Sequence, residues 1–135
     1  MAKRIVFRSR TRKERRALIE GIVSRWRERL LLDHWSFDVI LLRERPGDTA
    51  IARVTLNERY SDAVIEIHPD FWTHTPETQS RVLLHELAHA LTNRIATLGR
   101  RGKKRLLNDD ELTDAEENLT EHIANIVWDA YEGSV

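Results

Sequence analysis

The chain has 135 residues, 41% of them hydrophobic, with few glycines or prolines, which fits one compact domain and argues against a second full one. It contains no cysteine, so disulfides and thiolate metal sites are excluded, and any bound transition metal must use histidine and carboxylate ligands. The formal net charge is zero, but residues 1–16 carry eight Lys or Arg, residues 100–105 carry five, and the nine acids after Arg105 are accompanied by no Lys or Arg.

The basic N-terminus is interpreted as an arm at residues 1–10 ahead of a single domain at residues 11–135. Together with the basic run at 100–105, the arm could attract nucleic acid or another polyanion, or it could pair with the acidic segment of the same chain. The only apolar stretch near the N-terminus, at residues 5–7, is far too short for a signal peptide or a membrane span. We therefore expect a cytoplasmic protein without a membrane partner.

The first half of the chain predicts one helix and then strands. Residues 11–32 have apolar residues at helical spacing, and residues 35–42 change to the period of two that is typical of a half-buried strand. The run at 45–48 indicates a turn. Residues 50–57 and 62–68 repeat the strand pattern around a polar turn, which predicts a hairpin or a meander.

The second half predicts two helices. Thr75 is placed to cap a helix that runs to about Leu98 and ends at Gly99. Its predicted apolar stripe is Leu84, Leu87, Leu91, Ile95 and Leu98. Residues 113–116 fit a capping box for a last helix through about Tyr131, with a core face formed by Leu119, Ile123, Ile126 and Ala130. Segregated helices and sequential strands predict an α+β fold with an antiparallel or mixed sheet of about three strands.

The sequence His85-Glu86-Leu87-Ala88-His89 lies inside the helix that is predicted to follow Thr75 and to run to about Leu98. Residues four apart share a helix face, so His85 and His89 can direct imidazole nitrogens at one metal ion. Glu86 lies next to His85 but is rotated about 100° around the helix axis, which places it beside a metal-bound water rather than on the metal. The pattern predicts a zinc site with Glu86 as general base.

A catalytic zinc needs a third protein ligand, and no histidine follows within residues 91–104. The last helix offers Glu116, Glu117 and Glu121 as carboxylates in range. Here the sequence resembles the gluzincins, the thermolysin-like metallopeptidases, because residues 117–121 match their Glu-x-x-(Ser/Thr)-(Asp/Glu) segment. The resemblance implies that Glu117 is the third ligand and that Glu121 orients His85, with Glu121 as the alternative ligand.

The order of elements also resembles the very short zincin-like proteins of bacteria and phages. In that group the strand before the metal-binding helix pairs with an extended peptide substrate, which points to residues 60–68. The large C-terminal lobe of thermolysin has no counterpart in the 18 residues after Glu117, so the stabiliser of the oxyanion is open. His122 and Tyr60 are the candidates that neighbour the expected ligand and substrate elements.

These observations favour a zinc-dependent peptidase. One alternative is a binding or regulatory module in which zinc holds two helices together while the basic arm contacts nucleic acid or a protein partner. A third hypothesis keeps the enzyme but assigns it to cell-wall peptides, which the absence of an export signal disfavours.

Overall fold

The computed structural model describes residues 10–45, 47, 50–101 and 108–132. These form three α-helices and three strands in the order α1 (Arg12–Arg29), β1 (Ser36–Leu41), β2 (Ala52–Asn57), β3 (Asp62–Ile67), α2 (Pro76–Arg101) and α3 (Asp109–Tyr131). Short 3₁₀ turns lie at Glu58–Tyr60 and Pro69–Thr73. The predicted mixture of helices with a sheet of about three strands is confirmed.

The sheet is mixed, with the strand order β1-β3-β2. β2 and β3 form the predicted antiparallel hairpin, whose turn ends at Ser61 in the left-handed region (φ 50°). β1 pairs with β3 in the parallel direction. The expectation that residues 60–68 offer a free sheet edge is therefore wrong, because β3 is central and is hydrogen-bonded on both sides.

The two true edges of the sheet differ. On β1, the guanidinium groups of Arg12 and Arg16 from α1 donate hydrogen bonds to the carbonyl oxygens of Leu41 and Val39, so this edge is partly capped. On β2, Ile51 at the strand entrance bonds inward to His68 N–H, so the even-numbered residues of β2 direct their backbone groups outward. The outer edge of β2 faces α2 and the predicted metal-binding residues.

α2 begins after Thr75 as predicted but continues past Gly99 to Arg101. A glycine costs only about 1 kcal/mol within a helix, which packing against a neighbouring helix can offset. Leu84 and Leu87 are buried, whereas Leu91 and Leu98 are 38% and 59% exposed. The buried face is completed by Leu83 and Ala88, and the side chain of Ile95 lies outside the described residues.

α3 begins five residues earlier than predicted, because Asn108 and Glu111 form the capping box instead of the pair at 113 and 116. The expected core face is also wrong: Ala130 and the side chains of Leu119 and Ile126 are exposed, and Ile123 is half-buried. The residues that face the core are Thr120, Ala124 and Trp128.

The orientation of α3 follows from its partners. The hydroxyls of Thr92 on α2 and Thr120 on α3 lie 2.7 Å apart in a buried hydrogen bond. Trp128 packs on Trp26 of α1, with ring centroids 5.8 Å apart. These contacts turn the face of α3 that carries Glu117 and Glu121 toward α2. In the described part of the chain, no helix is long and apolar enough to cross a membrane.

Candidate metal centre

One turn of α2 presents His85, Glu86 and His89 to the same space. The ligand atoms that the three side chains offer all lie within 4.8 Å of one another, and the two imidazole rings have centroids 5.0 Å apart. All three side chains are half-buried. The clustering that the helical spacing predicts is therefore present in the fold.

The carboxylate of Glu117 comes from α3 and spans the two histidines. Its Oε2 lies 3.3 Å from Nε2 of His85, and its Oε1 lies 3.2 Å from Nε2 of His89. Two ligand atoms that bind one tetrahedral zinc at about 2.0–2.1 Å are separated by roughly 3.3 Å. The two imidazoles and this carboxylate thus fit a shared metal ion, in both donor type and spacing.

Glu121, one turn after Glu117 on α3, contacts the other nitrogen of His85. Its Oε2 lies 2.7 Å from Nδ1 of His85. A carboxylate that accepts the Nδ1 proton fixes the imidazole tautomer and leaves Nε2 free to bind metal. The structure brings together Glu117 and Glu121 in the arrangement that their shared helix face predicts.

Glu86 is held against the sheet edge instead of pointing into solvent. The backbone N–H of Val54 on β2 donates a hydrogen bond to its Oε2 at 3.0 Å. Burial raises the pKa of Glu86 from 4.5 to about 7, while His85 and the Val54 hydrogen bond oppose this rise. A carboxyl with a pKa near neutrality is suited to accept and return a proton at physiological pH.

The raised pKa of Glu86 predicts how the stability of the metal-free protein depends on pH. Between pH 4.5 and about 7 the folded protein binds a proton at Glu86 that the unfolded chain has lost, so the free energy of unfolding falls as the pH rises through this window. The fall is on the order of 3 kcal/mol. Denaturant titrations of metal-free wild type and Glu86→Gln, from pH 4.5 to 8, measure it as the difference between the two curves. Parallel curves would contradict the shift.

His89 has its own set of supporting contacts. Burial lowers its pKa, although Glu117 opposes that shift, so the neutral imidazole that a metal requires is favoured. The Nδ1 atom of His89 lies 3.5 Å from the hydroxyl of Thr120 and 3.7 Å from Oε1 of Glu116. Glu116 in turn lies 3.6 Å from the guanidinium of Arg100.

Sequence reasoning missed these supports for His89 and the Val54 N–H. Thr120 could have been found, because it occupies the Ser/Thr position of the segment at 117–121. Glu116 was considered only as a ligand. The contact of Val54 has no local signal in the sequence, since any residue supplies a backbone N–H and only the strand order brings this one to Glu86.

A cleft of about 470 Å³ runs between β2 and the two helices over these residues. One wall of the cleft is β2. The polar lining of the cleft includes the side chains of Arg53 on β2 and Asn93 on α2, two hydrogen-bond donors that the sequence patterns did not indicate. A second, more apolar pocket of about 310 Å³ adjoins His85 and Glu86, with Val82 and Ala52 among its walls.

Tyr60 and His122 are not brought into this cleft. Tyr60 is 67% exposed on the 3₁₀ turn after β2, and His122 is exposed on α3. Neither is among the described residues that line the cleft. A role for either in stabilising an oxyanion stays a prediction without support from the geometry.

No protein-family model and no curated protein matches the chain. Among solved structures, the crystal structure of the metallopeptidase zymogen of Pyrococcus abyssi abylysin is similar, with a TM-score of 0.44 and 19% sequence identity. The match covers 83% of this chain and 90% of that one. A likeness of this degree is too weak to transfer a function, so the function must be argued from the site.

Proposed function

We propose that this protein is a zinc-dependent peptidase with a zincin-like site of the gluzincin type. In this proposal His85, His89 and Glu117 hold the zinc, Glu86 is the general base, and Glu121 orients His85. The observation that carries it is the placement of Glu117, whose two oxygens lie 3.3 and 3.2 Å from Nε2 of the two histidines.

The presence of Glu86 favours catalysis over a purely structural metal site. A structural site that already has two histidines and the Glu117 carboxylate as ligands has no use for a further, half-buried carboxyl beside them. The Val54 N–H holds Glu86 beside the histidines, and its pKa near 7 places it at the balance between base and acid.

Bound zinc would supply Lewis acidity, which polarises a peptide carbonyl and lowers the pKa of a water molecule. Glu86 accepts the proton of that water as the water adds to the carbonyl carbon. It then returns the proton to the amine that leaves. Glu121 keeps His85 in one tautomer throughout, and Thr120 and Glu116 lie beside Nδ1 of His89 at the longer distances of 3.5 and 3.7 Å.

The substrate is proposed to be an extended peptide that pairs with the outer edge of β2. This replaces the expected pairing along residues 60–68, because β2 is the edge that lies against Glu86. Ala52, Val54 and Leu56 line the cleft, and their backbone groups on this edge point outward at the spacing of a β-strand, although the N–H of Val54 is already bonded to Glu86. The apolar pocket beside His85 and Glu86 would take a neighbouring side chain.

The basic residues of α1 give little support to the alternative of a nucleic-acid-binding module. Arg12 and Arg16 bind strand carbonyls, and the guanidinium of Arg15 lies 4.7 Å from the ring centroid of Trp72. Arg29 pairs with Glu132 at 3.0 Å. These four cations make contacts within the fold. The basic arm before residue 10 and most of the basic run at 100–105 lie outside the described residues, so their contact with a polyanion stays a prediction.

The proposal predicts metal-dependent hydrolysis. The zinc-loaded protein is expected to cleave a mixed-sequence peptide library, to lose the activity on addition of a chelator, and to regain it with about one equivalent of zinc, because the ligands remain in place. Mass spectrometry of the products measures cleavage. Hydrolysis that persists in the chelator, or none in a protein that holds one zinc, would contradict the proposal.

A further inference from the structure

Asn93 extends the metal-binding face of α2 by one further turn. It lies four residues after His89 and seven after Glu86, and both spacings return to the same side of an α-helix. Its side chain is half-buried and lines the same cleft as His85, Glu86 and His89. Asn93 and the proposed metal centre therefore share one cavity.

The side-chain amide of Asn93 is available to a ligand. Within the described part of the chain it makes no hydrogen bond, although its position is half-buried. An amide offers two donors and one acceptor, and withdrawing it from water without partners costs free energy. A molecule in the cleft that pairs with Asn93 is stabilised for this reason.

The wall of the cleft that the helices form is rich in acceptors and poor in donors. The described residues of α2 and α3 that line it are His85, Glu86, His89, Asn93, Glu116 and Glu117. An ionised carboxylate only accepts hydrogen bonds. Each histidine has Nε2 toward the proposed metal position and Nδ1 against side chains of α3. The Nδ2 amide group of Asn93 is thus the donor that this wall retains for a substrate.

A peptide paired with β2 needs a donor on its other edge. The backbone carbonyls of an extended chain alternate between its two edges, so those that do not face β2 face the helices. A carbonyl that is desolvated there without a donor costs free energy comparable to a lost hydrogen bond. Asn93 can supply the donor to one such carbonyl.

The position of this carbonyl follows from the directions of β2 and α2. The two elements run side by side in the same direction, because Ala52 shares a pocket with Val82 and Val54 bonds to Glu86. Asn93 lies about 10 Å beyond Glu86 along the helix axis, which is the length of about three residues of an extended chain. Antiparallel pairing with β2 is the more stable arrangement and places the N-terminal part of the substrate on this side.

We propose that Asn93 is a substrate-binding residue, whose Nδ2 donates a hydrogen bond to a backbone carbonyl about three residues N-terminal to the scissile bond. The inference rests on the proposed peptidase function and adds a substrate class to it. The substrates are peptides that extend several residues before the cleaved bond, rather than peptides cleaved after their first residue.

The kinetic test uses a decapeptide that is cleaved in the library assay and an N-acetylated short form with one residue before the scissile bond. Asn93→Leu nearly keeps the size of the side chain but has no donor. With zinc loaded, it should raise KM for the decapeptide about 10-fold and leave kcat within about twofold, because the hydrogen bond is made equally in the ground state and the transition state. With the short peptide it should behave as wild type does.

Asn125→Leu, which replaces an exposed asparagine on α3, is the matched control and should equal wild type with both peptides. An equal penalty on the two peptides in Asn93→Leu would overturn the proposal, because it would indicate a structural role. A fall in kcat at unchanged KM, or loss of zinc from Asn93→Leu, would overturn it as well.

A binding measurement separates the role of Asn93 from the peptidase activity itself. A fluorescein-labelled pool of mixed-sequence decapeptides is titrated with zinc-loaded Glu86→Gln and with Glu86→Gln/Asn93→Leu, and fluorescence anisotropy is recorded. A pool is suitable because a contact with the backbone does not depend on the side chains of the peptide. About 10-fold weaker binding to the second protein supports the proposal even if no peptide is cleaved. Equal affinity would refute it, and absence of binding to both proteins would refute the pairing with β2 together with it.

Discussion

Replacement of Glu86 by glutamine is expected to leave zinc binding and the fold intact while lowering kcat by about 10²- to 10⁴-fold. The amide has nearly the shape of the carboxyl, and its oxygen can still accept the hydrogen bond from Val54 N–H. It cannot accept the proton of the attacking water. Zinc content and peptide hydrolysis, both measured on one preparation, check the two halves of this expectation.

The result also decides between two roles that the geometry allows for Glu86. Its carboxylate belongs, with His85 and His89, to the group whose ligand atoms lie within 4.8 Å. If Glu86 were a ligand, Glu86→Gln would lose zinc. If kcat were unchanged, Glu86 would not be the base. Glu20→Gln, an exposed acid on α1, is the matched control and should behave as wild type.

The local parts of the site could be predicted from the sequence because they depend on helix periodicity. Because residues four apart share a helix face, His85 and His89 lie on one face of their helix, and Glu117 and Glu121 lie on one face of theirs, independently of how the helices pack. The partner elements bring these pairs together, and the segment at 117–121 matched the pattern of a family in which they meet. Such spacing needs no knowledge of tertiary structure.

The predictions that were wrong concern contacts between elements that lie far apart in the sequence. The order of strands places β2 rather than β3 at the edge beside Glu86, and no local pattern distinguishes these orders. α3 carries apolar residues on two faces, and the choice between them is made by Thr92 and Trp26, which belong to other helices.

Loss of Glu117 and loss of Glu121 are expected to have different consequences, although both acids contact His85. Glu117→Ala removes a charged group that spans both imidazoles and should abolish stable zinc binding. Glu121→Ala removes only the acceptor for Nδ1 of His85, so zinc affinity should fall by about 10- to 100-fold with binding still attainable at excess metal. Asp114→Ala, an exposed acid on the same helix, should bind zinc as wild type does.

A competitive zinc titration of these variants, together with His89→Ala, tests the proposed metal centre most directly. One zinc per chain is predicted for wild type and Asp114→Ala, weakened binding for Glu121→Ala, and no stable zinc for Glu117→Ala or His89→Ala. Stoichiometric zinc in His89→Ala would contradict the site itself. A metal-free Glu121→Ala beside a zinc-loaded Glu117→Ala would contradict the proposed ligand set.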